Sequence, residues 1–176
     1  MAATPQLVQA YIAVGSNIDP EANIPRALDL LRAQVRVTGI STAYRVPAFD
    51  RTDQADFVNA VAAVETTLGS RQLKFEVLRP IESQLGRVRT ADRFADRTID
   101  LDLILYGDSV IDEADLRVPD ADIARPFVAG PLLELAGEVV LPGGGGRVCC
   151  SARDMHRAGM TPLAELTRQL KERLRE

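Results

Sequence analysis

The sequence has few of the residues that build sulfur or imidazole centres for metals and redox chemistry. Among 176 residues there are two cysteines and one histidine. Cys149 and Cys150 are adjacent, which places them poorly for bridging one another, and together with His156 they make a weak zinc set. We therefore expect two reduced thiols with no metal or redox role.

Long apolar runs, excess positive charge and aromatic residues are also scarce. No apolar run approaches the length of a membrane span, and residues 1–5 lack the charged start and apolar core of a signal peptide, so we expect a cytoplasmic protein with no membrane partner. The formal net charge is -4 and aromatic residues make up 5% of the chain. Nucleic-acid recognition normally uses a basic face, with aromatic residues interleaved where RNA is bound. No nucleic-acid partner is expected, and any anion site must be local.

The overall composition is that of one globular domain. Hydrophobic residues make up 46% and charged residues 26% of the chain, which is ordinary for a soluble protein. A chain of 176 residues can bury a sizeable core. Because we find no internal repeat and no second domain, we predict a single domain over residues 1–176.

The most informative pattern is an apolar, branched run that carries two carboxylates on alternate positions. Asp100 and Asp102 alternate with Ile99, Leu101 and Leu103. In a strand, residues i and i+2 share a face and stand roughly 7 Å apart, so the two carboxylates should project together. Neighbouring carboxylates repel one another, and a divalent cation would hold both of them charged. Mg²⁺ prefers such oxygen ligands and shares its remaining positions with water and substrate phosphates.

Four arginines precede this strand closely: Arg87, Arg89, Arg93 and Arg97. Guanidinium groups bind phosphate oxygens bidentately and stay charged at any working pH. A Walker-type Gly-x-x-x-x-Gly-Lys-Ser/Thr is missing, which excludes P-loop chemistry. The alternative is that the aspartates merely pair with Arg93 and Arg97 on a solvated sheet face. The density of arginines favours transfer of a phosphate group from a nucleotide.

The order of predicted elements is strand, helix, strand, strand, helix, strand. This order is typical of a ferredoxin-like α+β sandwich, in which helices cover one face of an antiparallel sheet and the other face is left for ligands. Pro80 predicts a kink in the second helix, residues 143–160 read as a glycine-rich break and loop, and the last helix should be structural or a dimer contact. The predicted strands are Gln9 to Val14, Val35 to Tyr44, Phe57 to Thr67 and the acidic strand in the stretch Arg97 to Tyr106. The predicted helices start at Asp19, cover Ser70 to Leu85, lie near Pro131 to Ala136, and cover Thr161 to Glu176.

Several motifs in the right order resemble those of one known family, the 6-hydroxymethyl-7,8-dihydropterin pyrophosphokinases of folate synthesis. The resemblance covers about residues 8–142. It includes an Arg-Thr-Ile-Asp-Leu-Asp signature over residues 97–102. The other matching blocks are residues 11–17, 44–47, 53–60, 85–89, 118–120, 125–127 and 131–134.

The resemblance implies an enzyme that moves the β,γ-pyrophosphoryl unit of ATP onto the hydroxymethyl oxygen of a reduced pterin and releases AMP. It implies two Mg²⁺ ions held by Asp100 and Asp102. Arg87 and Arg97 match arginines that act on the transferred phosphates, and we assign them stabilisation of the transition state. The positions that match pterin-binding residues are Val46, Pro47, Phe49, Phe57, Asn59 and Phe127. The positions that match ATP-binding residues are Glu82, Arg89, Leu103, Leu116, Asp120 and Arg125.

Four residues depart from the family pattern. Asp120 stands where histidine is frequent, Thr90 replaces a frequently basic residue, Phe94 a frequent tryptophan and Asp115 an arginine that can reach nucleotide. Three of these changes remove positive charge or add negative charge, so we expect weaker ATP binding than in relatives with the histidine. They also favour the second hypothesis, a catalytically silent pterin or nucleotide binder on the same scaffold. A third hypothesis, a ferredoxin-like nucleic-acid-binding module, is disfavoured by the acidic sheet edge. We expect a monomer, with a dimer as the alternative.

Overall fold

A computed structural model of the protein describes residues 6–48, 53–92 and 94–176. Within these ranges the chain alternates strands and helices before it adds a C-terminal group of short elements. The strands are β1 Val8–Ser16, β2 Arg36–Ile40, β3 Tyr44–Val46, β4 Phe57–Thr66, β5 Asp100–Tyr106, β6 Ile111–Asp112, β7 Arg117–Val118 and β8 Thr161–Pro162. The helices are α1 Pro20–Arg32, α2 Ser70–Gln72, a π-helical segment Leu73–Leu78, α3 Arg79–Gln84, α4 Pro126–Ala136, a 3-10 turn Pro142–Gly144, α5 Ala152–Arg157 and α6 Ala164–Arg173.

The main sheet is antiparallel, with β1 and β4 at its centre. Its strand order is β5-β1-β4-β3-β8, and β2 also pairs with β4. Strands β6 and β7 form a separate hairpin. The chain is therefore a mixed α/β protein with an antiparallel sheet, which confirms the predicted class at that level.

Two hydrophobic clusters lie on opposite faces of this sheet. The larger one joins Ile12 and Leu101 of the sheet to Leu28 of α1 and Leu170 of α6. The second joins strand residues such as Ile104 to α4 through residues such as Leu132. Helices therefore pack on both faces, so the expectation that the second face is left for ligands is only partly right. The helix expected there near Pro131 to Ala136 begins earlier, at Pro126, since proline suits the first turn of a helix.

The predicted strand Val35 to Tyr44 is in fact two strands, β2 and β3. Between them, the backbone N–H of Ser41 donates to the Val61 carbonyl at 2.9 Å. The Ser41 hydroxyl accepts from the Val61 N–H, also at 2.9 Å. A side chain that bonds backbone in this way replaces the regular ladder, and the strand is interrupted there.

The conflict between Pro80 and a continuous helix is resolved by a change of helix type. Proline has no N–H and clashes with the carbonyl four residues before it. The chain is π-helical over Leu73–Leu78, where the N–H of Arg79 reaches back five residues to the Lys74 carbonyl. Pro80 then falls in the first turn of α3, where a missing N–H costs nothing.

The C-terminal region is more ordered in its secondary structure than the sequence predicted. Residues 143–160 include α5, whose start is capped because the Ser151 hydroxyl accepts from the Asp154 N–H at 3.2 Å. The prediction of one helix over Thr161 to Glu176 is wrong at its start, because Thr161 and Pro162 pair with β3 and α6 begins at Ala164. Proline is tolerated there because β8 is an edge strand.

Candidate active site

A cleft of about 420 Å³ opens on the sheet face that carries α4. Strands β1, β4 and β5 form its floor, and residues between α3 and β5 and around the start of α4 form its walls. Twelve residues that the sequence analysis selected line it: Val46, Pro47, Phe57, Asn59, Arg87, Arg89, Arg97, Asp100, Asp102, Asp120, Arg125 and Phe127. The selected segments are thus brought to one place although they span some 80 residues of the chain.

Strand alternation places the two carboxylates of β5 in this cleft. Asp100 and Asp102 line the cleft, whereas Leu101 and Leu103 are buried in the main core. This is the arrangement expected of alternate positions on one strand.

The carboxylate of Asp100 pairs with two arginines. One oxygen lies 2.6 Å from a guanidinium nitrogen of Arg97, and the other lies 3.0 Å from one of Arg87. All three side chains are largely buried, with 11% to 20% of their surface exposed. Arg87 also donates to the Ile99 carbonyl at 2.8 Å. The two arginines therefore neutralise a carboxylate that would otherwise be buried without a counter-charge.

Asp102 has no such guanidinium partner among the bonds of the described residues, and its pKa is raised to about 7. Its side chain is exposed at the cleft surface, but the surrounding walls still remove much of its hydration. This desolvation is the main cause of the shift, and the charges of Asp100, Asp120 and Glu82 add to it. The carboxyl lies in a region of negative potential, which is where a cation binds favourably.

Two carboxylates with this spacing could hold a divalent cation only together with other oxygen ligands. In the described ranges no group of three or more His, Cys, Asp or Glu side chains is arranged as a complete metal site. Carboxylate oxygens suit Mg²⁺, which usually keeps several waters and binds through one or two carboxylates plus substrate phosphates. The donors present fit that mode of binding and do not fit a closed structural site.

Glu82 lies behind the two aspartates and is 1% exposed. One of its oxygens accepts from the N–H of Leu101, between the two aspartates, at 2.9 Å. The other accepts from the guanidinium of Arg89. Burial raises the pKa of Glu82, while these two donors oppose that rise. Glu82 therefore connects α3 to the backbone of β5 and to an arginine of the cleft wall.

The backbone of Arg97 is held by the turn that follows β1. Its N–H donates to the Asn17 side-chain oxygen at 2.8 Å, and its carbonyl accepts from the Asn17 N–H at 3.1 Å. The Asn17 amide also donates to Asp96 at 2.7 Å, and Gln54 donates to the same carboxylate at 2.8 Å. Two distant segments, those of Asn17 and Gln54, thus fix where the Arg97 side chain begins.

At the start of β4 the cleft is lined by aromatic and amide side chains, and we call this part the aromatic end. Phe57 and Asn59 project from alternate positions of β4, and Phe127 comes from the first turn of α4. The guanidinium carbon of Arg97 lies 5.7 Å from the centroid of the Phe57 ring, within cation–π range. Gly15 lies opposite Asn59 on β1, and a Cβ there would be 2.8 Å from the Asn59 oxygen.

The part of the cleft that carries Asp100, Asp102 and Asp120 is lined by both acidic and basic side chains, and we call it the acidic end. Asp120 lines the cleft half-buried, and its pKa is raised, chiefly by burial. Arg125 pairs with Asp122 at 2.7 Å on the exposed rim. Asp115 is not among the residues that line the cleft. It accepts two hydrogen bonds from Arg71, at 2.9 and 3.0 Å, so its added negative charge is neutralised locally.

Not every selected residue reaches the cleft surface. The side chains of Leu103 and Leu116 belong to the main core. Phe49 and Arg93 lie outside the described residues. Four residues line the cleft although the sequence gave no reason to select them: Gln54, Asp122, Gly15 and Ala13. Strand alternation along β1 could have identified Gly15 and Ala13. Gln54 and Asp122 lie in irregular segments, where no regular spacing predicts the direction of a side chain.

Two features lie outside the cleft. Cys149 and Cys150 form no disulfide in the described part of the chain. No helix among the described residues is long and apolar enough to cross a membrane.

Comparison with known proteins places the chain in a family. The sequence profile described as 7,8-dihydro-6-hydroxymethylpterin-pyrophosphokinase (HPPK) matches residues 11–137. The chain belongs to this family. A curated relative from Haemophilus influenzae, named 2-amino-4-hydroxy-6-hydroxymethyldihydropteridine pyrophosphokinase, is 39% identical over 140 residues, covering 77% of this chain and 86% of the relative. A relative of the same name from Pseudomonas aeruginosa is also 39% identical over 140 residues, covering 77% of this chain and 85% of its own length.

A solved structure has a similar fold. It is the Plasmodium falciparum HPPK-DHPS chain, crystallised with pterin and p-hydroxybenzoate, and it superposes with a TM-score of 0.61 at 11% sequence identity. The superposition covers 84% of this chain and 42% of that chain. At this identity the likeness concerns the fold alone.

Proposed function

We propose that this protein transfers pyrophosphate from ATP to 6-hydroxymethyl-7,8-dihydropterin, in folate biosynthesis. The observation that carries the proposal is a single cleft with the Asp100 and Asp102 carboxylates and two arginines at one end and Phe57, Asn59 and Phe127 at the other. Family membership and the names of the relatives support it.

The aromatic end suits the pterin. A flat heterocycle with polar edges needs apolar faces and a few fixed hydrogen-bond partners. Phe57 and Phe127 supply the faces, and the Asn59 amide can both donate to and accept from the ring edge. Val46 and Pro47 border the same space, and Phe49 is proposed to complete the pocket.

The acidic end suits the phosphates of ATP together with magnesium. We assign Asp100 and Asp102 as the residues that would hold two Mg²⁺ ions, and bound magnesium would neutralise negative charge on the ATP phosphates. Arg89 and Arg125 are assigned to ATP phosphates. Asp120 borders the nucleotide, and the buried Glu82, Leu103 and Leu116 support its site from behind.

The reaction forms one oxygen–phosphorus bond and breaks another. The hydroxymethyl oxygen of the pterin attacks the β-phosphorus, and the bond from that phosphorus to the oxygen of the α-phosphate breaks. AMP leaves with the electron pair, and the hydroxyl proton passes to solvent. We assign to Arg87 and Arg97 the stabilisation of negative charge on the transferred group, and both could exchange Asp100 for phosphate oxygens when ATP binds.

The remaining features of the protein are proposed on the same basis. The order β5-β1-β4 followed by the β2 and β3 segments supports a ferredoxin-like sandwich with extra C-terminal elements. We propose one domain over residues 1–176, acting as a cytoplasmic monomer on small-molecule substrates.

One observation favours a second candidate, a silent pterin or nucleotide binder. Asp120 adds a third carboxyl group to the end of the cleft that would hold phosphate, and its charge raises the pKa of Asp102. An anion there opposes ATP unless a metal or a proton offsets it.

The deciding experiment is to incubate the protein with ATP, Mg²⁺ and 6-hydroxymethyl-7,8-dihydropterin and to separate the nucleotides. Pterin-dependent AMP with an equal amount of pterin diphosphate would support the transferase. Pterin binding without AMP would support the silent binder. The matched control is Asp102→Asn, which keeps the shape of the side chain but removes its charge and should abolish AMP formation.

A further inference from the structure

The C-terminal elements α5, β8 and α6 lie beyond residues 11–137, the part matched by the family profile. They nevertheless contact the two elements that carry opposite walls of the cleft. Those elements are β3, which leads into Val46 and Pro47, and α4, which begins with Pro126 and Phe127. A segment outside the family core therefore touches the site from both sides.

The β3 wall is held by backbone hydrogen bonding. Strand β8 pairs with β3, so that Thr161 is opposite Arg45. Just before β3, the Ala43 carbonyl accepts from the Leu163 N–H at 2.8 Å, and the Ala43 N–H donates to the Thr167 hydroxyl at 3.0 Å. The position of β3 is thus set by β4 on one side and by the C-terminal segment on the other.

The backbone of Gly159 packs directly on the Pro47 ring. A Cβ at position 159 would lie 3.0 Å from Cγ and 3.1 Å from Cδ of Pro47. Gly159 also has φ +69, a conformation that glycine adopts without strain. The absent side chain is what allows residue 159 to lie against this wall.

The α4 wall is held from behind by α5. Gly130 lies three residues after Phe127, on the same helix, and a Cβ there would lie 2.9 Å from the Met155 sulfur. Met155 therefore occupies the space that a side chain at 130 would fill. Cys150, two residues before α5, lies with its sulfur 4.0 Å from the Pro126 carbonyl oxygen at the start of α4.

We propose that residues 150–162 form a brace that sets the separation of the Pro47 and Phe127 walls, with Gly159 and Met155 as positioning residues for the flat ring between them. The proposal rests on the proposed function, since the ring is taken to be the pterin. A binding pocket needs its walls held within about 0.5 Å of the productive geometry, and loops require support to reach that precision. The brace contacts Pro47 and Gly130 directly, so its main effect is on the aromatic end, where the pterin is proposed to bind.

The test is to compare Gly159→Ala with Gly144→Ala. Both glycines have positive φ, +69 and +78, but a Cβ at 144 meets nothing within 4 Å. The two variants share the backbone strain and differ in the contact with Pro47. We expect Gly159→Ala to raise the KM for the pterin on the order of tenfold, as small displacements of binding groups do, with the KM for ATP unchanged. Gly144→Ala should keep both values.

Met155→Ala tests the brace without introducing backbone strain, because it only removes the side chain that packs against Gly130. It should raise the pterin KM more than the ATP KM, since Arg125 at the start of the same helix is assigned to ATP, and it decides the question if Gly159→Ala fails to fold. Wild-type pterin KM in the folded variants overturns the brace while the proposed function stands. Wild-type protein that makes no AMP with pterin and ATP overturns the proposed function and the pterin brace with it.

Discussion

One carboxylate oxygen of Asp100 lies 2.6 Å from the guanidinium of Arg97, and both side chains are largely buried. A residue proposed to bind metal is thus paired with a residue proposed to act on phosphate. Arg97 serves as the counter-charge of Asp100 here, and phosphate oxygens would compete for it when ATP binds. The charge of Asp100 is therefore paired with arginine before any ligand arrives.

Removing the Arg97 guanidinium should abolish most activity while the protein stays folded. We expect Arg97→Ala to lower kcat on the order of a thousandfold, the scale of arginines that stabilise phosphoryl transfer. Steady-state kinetics measure the change, and a thermal melt checks that the protein is folded. Arg147→Ala, which removes a surface arginine paired with Glu138, is the matched control. Near-normal turnover in folded Arg97→Ala would contradict the assignment.

Because the pKa of Asp102 is raised, this residue should lower the free energy of unfolding at alkaline pH, where it is ionised. Below the ordinary value of 3.8 the carboxyl is protonated in both states, but between 3.8 and about 7 the folded protein holds a proton that the unfolded chain has lost. Stability from this group therefore falls as pH rises toward 7 and stays low above it. Asp102→Asn should raise the Tm at pH 8 and leave it unchanged at pH 4, in metal-free buffer. Asp108→Asn, at an exposed position, is the control. An equal effect at both pH values would show that charge is not the cause.

The same pKa predicts a pH-dependent affinity for magnesium. A metal ion must displace the proton from Asp102, so affinity should rise from pH 6 to pH 8 and level off once the carboxyl is ionised. Calorimetric titration of Mg²⁺ with a non-hydrolysable ATP analogue measures the change. A flat profile would indicate that Asp102 is ionised throughout or is not a ligand.

Gly15 should be required for the orientation of Asn59. Because a Cβ at position 15 would lie 2.8 Å from the Asn59 oxygen, Gly15→Ala should displace that amide and weaken pterin binding about tenfold. ATP binding should change less. Gly69→Ala is the control, since a Cβ there makes an ordinary contact at 3.6 Å. Unchanged pterin affinity in Gly15→Ala would argue against Asn59 as a partner of the ring.

Asp120 should weaken ATP binding through its charge. Asp120→His removes an anion from the phosphate end and restores the residue frequent in the family, so we expect a several-fold lower KM for ATP at pH 7. Asp108→His outside the cleft controls for the general change in charge. If ATP binds both variants and the parent protein with the same affinity, the charge of Asp120 does not affect ATP binding.

The sequence by itself determined which local segments carry chemistry. Strand alternation is a steric consequence of the extended backbone, and it correctly placed Asp100 and Asp102 on one face with Leu101 on the other. Pro80 likewise signalled a disturbed helix, because proline lacks the N–H that a regular helix uses at that position. Such features depend on neighbours in the chain and can be read from it directly.

Only the tertiary structure decided how distant segments meet. The contact between Gly15 and Asn59 follows from the register of β1 against β4, and the use of Asn17 to hold Arg97 joins residues 80 positions apart. The contact of Gly159 with Pro47 likewise depends on β8 pairing with β3. Strand register and packing minimise free energy over the whole molecule, and many partners are locally equivalent, so no spacing in the sequence identifies the one that is chosen.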